Sequence, residues 1–177
     1  MRISLSSKAV VAAAACAVAV LPAGAASAGD GPKPQQDEKA TTMSTAPAPE
    51  GNPHSRTAQA SGVCSDAYQI GNKRYIKRKG QVIGTVRQFY SPSCNRNYGY
   101  LWVWQSFRNT HKNYATNIAV YDFNTKKLVG LRQWHRTNAQ EFWSGPAATV
   151  RHCTAARGMI KARYDSKQSF AYSSKRC

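Results

Sequence analysis

The chain has 177 residues, and its 25 lysines and arginines against 8 aspartates and glutamates give a formal charge of +17. That is one small basic domain at most, too short for a nucleotide-binding fold with a separate substrate lid. Outside the N-terminus no apolar run approaches the roughly 20 residues of a membrane-spanning helix, so large cofactor enzymes and polytopic membrane proteins are excluded.

The chain opens with Arg2 and Lys8, an apolar run from Ala9 to Leu21, then Pro22 and the small residues Ala26-Ser27-Ala28. This order is that of a secretory signal peptide over residues 1–28, cleaved after Ala28. The Ala9 to Leu21 run is alanine-rich and too short to span a bilayer. Cys16 lies inside that run and not at the start of a mature chain, which argues against lipidation. The expected location is extracellular or cell-wall associated.

Residues 29–62 contain Pro32, Pro34, Pro47, Pro49 and Pro53 and no aromatic residue, and their charge is near neutral. A segment of this composition buries too little apolar area to offset its ordering entropy, and a disordered leader is expected. All nine tyrosines, five phenylalanines and four tryptophans fall between Tyr68 and Tyr172, which puts the folded domain at residues 63–177. That domain holds 20 of the basic residues and only Asp66, Asp122, Glu141 and Asp165 as acids, so the positive charge belongs to the fold and not to a tail.

Within the domain, apolar residues recur at period two in short runs, which predicts strands over Arg74 to Lys79, Val82 to Tyr90, Tyr98 to Phe107, Thr116 to Phe123, Lys127 to Trp134, Met159 to Tyr164 and Gln168 to Tyr172. Lys79-Gly80-Gln81, Asn124-Thr125-Lys126 and Asp165-Ser166-Lys167 read as hairpin turns. One helical turn is expected near Ala147 to Ala156, after Gly145-Pro146. The result is a mostly-β chain, an antiparallel meander closing into a small barrel or sandwich.

Cys64, Cys94, Cys153 and Cys177 are an even set in an exported chain, which reads as two disulfides. Three pairings are open; Cys64 with Cys94 and Cys153 with Cys177 are favoured, because each closes a loop between neighbouring elements. No C-x2-C spacing indicates a metal site, and no cofactor-binding motif is present.

The stretch Gly80-Gln81-Val82-Ile83-Gly84-Thr85-Val86-Arg87-Gln88-Phe89-Tyr90-Ser91-Pro92-Ser93-Cys94, followed by Trp102, resembles a family of small secreted actinomycete proteins, a domain of unknown function whose mark is a strand ending in Tyr-Ser-Pro-x-Cys and then a tryptophan. The resemblance covers about residues 63–177 and is most specific over Tyr90 to Cys94. Here Asn95 to Leu101 make the interval before Trp102 a long one. The resemblance implies a secreted domain with Cys64 bonded to Cys94, and brings no catalytic residues.

Five of the seven residues from Lys73 to Lys79 are basic: Lys73, Arg74, Lys77, Arg78 and Lys79. In a strand they fall on both faces, so this is an edge strand, either blunted by cations against edge-to-edge pairing or serving as an anion-binding ridge. Tyr98, Tyr100, Trp102 and Trp104 share one face of their strand, opposite Leu101 and Val103. In a central strand this ladder is packing, which is the favoured reading; exposed, it would stack bases or sugars. Trp134 and Trp143 are expected to be partly exposed, the former among Arg132, His135 and Arg136.

For phosphodiester cleavage, His135, Glu141 and Arg136 are the conceivable base, acid and cation, with His111 and His152 as further imidazoles. Hydrolase, zinc-helix and phosphate-loop signatures are absent. Ser91-Pro92-Ser93-Cys94 has the outline of an inhibitor loop, and equally that of a simple turn. The sequence favours a non-enzymatic domain that binds anionic polymers or surfaces (wall polymer, nucleic acid or anionic lipid) through Lys73, Arg74, Lys77, Arg78 and Lys79 together with Arg132, Trp134 and Arg136. A small basic ribonuclease or toxin is the first alternative, and a protein inhibitor the second.

Overall fold

The computed structural model describes residues 44–177, so the expected signal peptide (1–28) and the leader residues 29–43 lie outside the described residues. Eight strands and two short helices follow in chain order: α1 (Arg56–Ala60), β1 (Tyr68–Arg78), β2 (Gln81–Ser91), β3 (Arg96–Val103), α2 (Gln105–Thr110), β4 (Tyr114–Asp122), β5 (Lys127–Thr137), β6 (Glu141–Trp143), β7 (Thr154–Ala162) and β8 (Ser169–Tyr172). They form two four-stranded antiparallel sheets, ordered β1-β2-β3-β6 and β5-β4-β7-β8. The architecture is a sandwich and not a closed barrel. It is also no simple meander, since β6 returns to pair with β3 and β7 crosses back to pair with β4.

The β1–β2 hairpin turns on Lys79 and Gly80, whose φ values of 48° and 82° are both left-handed, as a two-residue turn between right-twisted strands requires. β3 stops at Val103 because Trp104 caps α2, which turns Phe107 into the core; the strand expected through Phe107 ends four residues early. No helix forms near Ala147 to Ala156. Asn97 and Ala147 instead exchange both backbone hydrogen bonds, at 3.0 and 2.9 Å, and β7 begins at Thr154. The three-residue β6 is too short to show a period.

The core between the sheets is built from Ile76, Ile83, Val86, Leu101, Val103, Phe107, Tyr114, Ile118, Phe142, Ala156, Ile160 and Ala162. A second cluster, Phe89, Tyr98, Tyr100, Trp102 and Trp143 with Ala58, Val63 and Ala67, lies on the other face of the first sheet. β2, β3 and β6 are therefore buried on both faces, and the aromatic ladder is packing. Trp143 is completely buried, against the expectation of partial exposure, with its ring 4.6 Å from Tyr100 and 4.8 Å from Phe89. Only Trp104, at the end of the ladder, reaches solvent.

What covers the ladder corrects the domain boundary. Residues 44–62, expected in the disordered leader, are an ordered strap: Asn52 Nδ2 donates to the carbonyls of Ser44 and Ala46, Ser55 Oγ caps α1 by accepting from Ala58 N, and Ser55 and Ala58 are fully buried. The Tyr100 hydroxyl donates to Ala48 O, and Arg87 Nε donates to Pro49 O at 3.2 Å. By itself the segment carries little apolar area. It also removes aromatic area on β2, β3 and β6 from water, which stabilises its ordered state. Gly51 holds φ +89° where a Cβ would stand 2.5 Å from Phe89 Cζ, so the strap lies directly on the ring.

The disulfides are Cys64–Cys94 and Cys153–Cys177. The first joins the segment before β1 to the β2–β3 turn, and the second ties the loop before β7 to the C-terminus. Each loop closure stabilises by roughly 3 kcal/mol through the unfolded chain.

Candidate functional site

The four acids of residues 63–177 all make side-chain contacts within the protein, whereas Glu50 on the strap is exposed. Asp66 accepts from Ser91 Oγ at 2.6 Å and Ser93 N at 2.8 Å, and these bonds lower its pKa. They also fix Ser91-Pro92-Ser93-Cys94 as a turn, with Ser91 buried. Asp165 receives a two-point contact from Arg78, Nε to Oδ2 at 2.7 Å and Nη2 to Oδ1 at 2.6 Å, which lowers the carboxyl pKa and raises that of the guanidinium. Asp122 is almost fully buried; burial works to raise its pKa, but bonds from His152 Nδ1 (2.7 Å), Thr125 and Asn124 N bring it down to about 2. Among the described residues Arg78 is the one lysine or arginine in an ion pair.

Arg87 is buried, and Arg108 and Arg132 are half-buried on carbonyls, but most of the remaining cations face water. β1 is an edge strand, and Lys73, Arg74, Lys77 and Lys79 are exposed along it. The other edge of the molecule is β5, so the two groups of residues expected to act together lie on opposite sides. On β5, Trp134 is partly exposed, as expected, with its ring packed against the core 4.8 Å from Phe142, and Arg132 is half-buried, donating to Ser61 O. His135 and Arg136 remain exposed.

One end of the sandwich reconnects the edges. A hollow of about 300 Å³ is lined by Arg78, His111, Lys112, Arg163, Tyr164 and Asp165 among others. It shares Asn113, Ala162 and Arg163 with a second, of about 280 Å³, that His135, Arg136 and Lys161 also line. Cations from β1, β5, β7 and the loops after α2 and β7 thus border one continuous end, with Arg78 and Arg136 at its two extremes. Lys112, Lys161 and Arg163 escape a search for charge runs because they are separated in sequence. A period-two signal was present: Arg157, Met159, Lys161 and Arg163 alternate with Gly158, Ile160 and Ala162.

The conceivable catalytic trio does not assemble. Glu141 is buried beneath the strap beside Trp143, whose Nε1 donates to Oε1 at 3.1 Å, while Oε2 has no partner. His135 is on the second sheet, exposed, and lines a hollow that Glu141 does not. The imidazole with a carboxylate partner is His152, which borders a smaller hollow with Asn97, Thr154 and Arg176.

Burial raises the Glu141 pKa above its ordinary value. The sign follows: below the unfolded value both states carry the proton and nothing is lost, whereas above the raised folded value the buried charge subtracts from stability. Glu141→Gln is therefore expected to stabilise the fold at pH 7 by on the order of 1 kcal/mol, an effect that vanishes below about pH 4. Thermal unfolding of both proteins across that range checks it, and a Gln variant less stable at pH 7 would assign the carboxylate a favourable role. No family model, no curated protein and no solved structure matches this chain.

Proposed function

We propose that the protein is a secreted, non-enzymatic binding domain for anionic polymers or surfaces, held by the exposed cations of β1 and of the Arg78-to-Arg136 end. The observation that carries this reading is the imbalance of charge: among the described acids Asp122 and Glu141 are buried and Asp165 is ion-paired, leaving only Glu50 and Asp66 exposed, while among the described lysines and arginines Arg78 alone is offset by a carboxylate. Such a surface attracts phosphate- or carboxylate-bearing polymers at long range. Cations on β1 also keep the edge from pairing with a second sheet, and the two roles are compatible.

The test replaces Lys73, Arg74, Lys77 and Lys79 together by Gln. Arg78 is left in place, because removing it would strand Asp165. The variant is expected to keep its unfolding midpoint and to bind a polyanion at least tenfold more weakly at moderate salt, each lost phosphate contact lowering affinity and salt slope together. Unchanged binding would move the contact to the hollows at the sandwich end or remove it from the protein altogether.

A further inference from the structure

The stackable rings of this protein are on the outer face of the second sheet. In β7, Ala156, Ile160 and Ala162 enter the core, so Arg157, Met159 and Lys161 point away from it. The pairing sets Met159 beside Phe170 and Arg157 beside Tyr172 on β8. On β4, Ile118 and Val120 are buried while the alternate Tyr121 is half-exposed. Four rings follow one another across this face: Phe170 to Tyr172 at 6.1 Å, Tyr172 to Tyr121 at 5.4 Å, and Tyr121 to Phe123 at 5.0 Å.

Cations are interleaved with the rings. The Arg157 guanidinium lies 5.1 Å from the Phe170 centroid and 5.9 Å from that of Tyr172, and the Lys175 ammonium lies 4.9 Å from Phe123. Phe170 is 52% exposed and Phe123 36%, with the half-buried Tyr172 and Tyr121 between them, so the row opens to solvent at both ends. Cation–ring contacts stabilise an edge strand, yet that purpose does not require half of Phe170 to be left in water.

The occupant follows from the two chemistries together. Unpaired cations select a polyanion and make a second copy of this chain repulsive. Rings select an anion that carries flat groups of its own, which a glycerol phosphate polymer or a lipid headgroup lacks. A duplex keeps its bases stacked internally, while a single strand offers them to an open sheet. Building on the polyanion reading above, we infer that the outer face of the second sheet binds single-stranded nucleic acid, bases stacking on Phe170, Tyr172 and Phe123 and phosphates meeting Arg157, Lys161 and Lys175.

The test measures binding of the full chain to an oligo(dT) of about 12 nucleotides, a length within the usual site sizes for such surfaces, and to inorganic polyphosphate of equal charge. The single strand is expected to bind more tightly than polyphosphate. Phe170→Ala is expected to weaken oligo(dT) by roughly 5- to 150-fold, the worth of one stacked base, and to leave polyphosphate unchanged. Phe170→Trp keeps a ring and adds an optical reporter; its fluorescence is expected to be quenched by oligo(dT) and not by polyphosphate. Equal affinity for both polymers, with no response at Phe170 and no quenching, overturns the stacking face and leaves the polyanion reading intact. Binding to neither polymer overturns both.

Discussion

A chain beginning at Val63, without the strap, is expected to lose cooperative unfolding and to bind hydrophobic dyes, although it retains both disulfides and all eight strands. The strap touches the protein through few polar bonds: Tyr100 to Ala48 O, Arg87 to Pro49 O and Arg132 to Ser61 O. Its larger contribution is exclusion of water from Phe89, Tyr98, Tyr100, Trp102 and Trp143, all at most 7% exposed. A large side chain moved from water to a packed interior contributes about 1.5–3 kcal/mol, so partial uncovering of five rings removes several kcal/mol. A domain of this size holds on the order of 5–15 kcal/mol in total. The deletion also returns buried Arg87 and the Glu141 carboxyl to solvent, which favours the deletion, but by less than the rings lose. Calorimetry of the chain from residue 44 against the chain from residue 63 decides the point; matching midpoints would make the strap a passenger.

Much of the sandwich was legible because its strands alternate. Val86, Leu101, Ile118 and Ile160 each sit at a position of fixed parity within a short apolar run, and the two disulfides followed from even count and loop closure. The failures have a common physical source. Periodicity reports what one strand does to its own two faces, and it is silent on what comes to lie over them. Residues 44–62 look unfoldable alone and fold because a ladder of rings elsewhere needs a cover. Trp143 seemed destined for a loop because β6 has only three residues. Trp134 sits among Arg132, His135 and Arg136 in sequence; alternation along β5 turns its ring toward Phe142 and His135 outward, and Arg136, which alternation alone would turn inward with Trp134, is exposed because its left-handed φ of 57° interrupts the strand. The exposed rings were overlooked for the converse reason: Tyr121, Arg157, Phe170 and Tyr172 come from three strands, and only the pairing register makes them neighbours.

Raising salt from 50 to 200 mM is expected to lower the affinity for a duplex by about 10³-fold, if roughly six phosphates are neutralised, a slope of log K against log salt near −5. The exposed cations of β1 and those bordering Arg78 and Arg136 are numerous enough for that count without Arg78, whose charge Asp165 already offsets. A slope near zero would remove electrostatics as the driving term and with it the proposed function. The comparison with a single strand carries more information than either slope alone. Its weaker counterion release gives about −0.7 per phosphate in place of −0.9, so the same number of contacts yields a shallower line. At 1 M salt the screening length falls to about 3 Å and the phosphate contribution is largely extinguished. Affinity that survives there belongs to the rings, and it should be present for oligo(dT), absent for polyphosphate and duplex, and lost in Phe170→Ala.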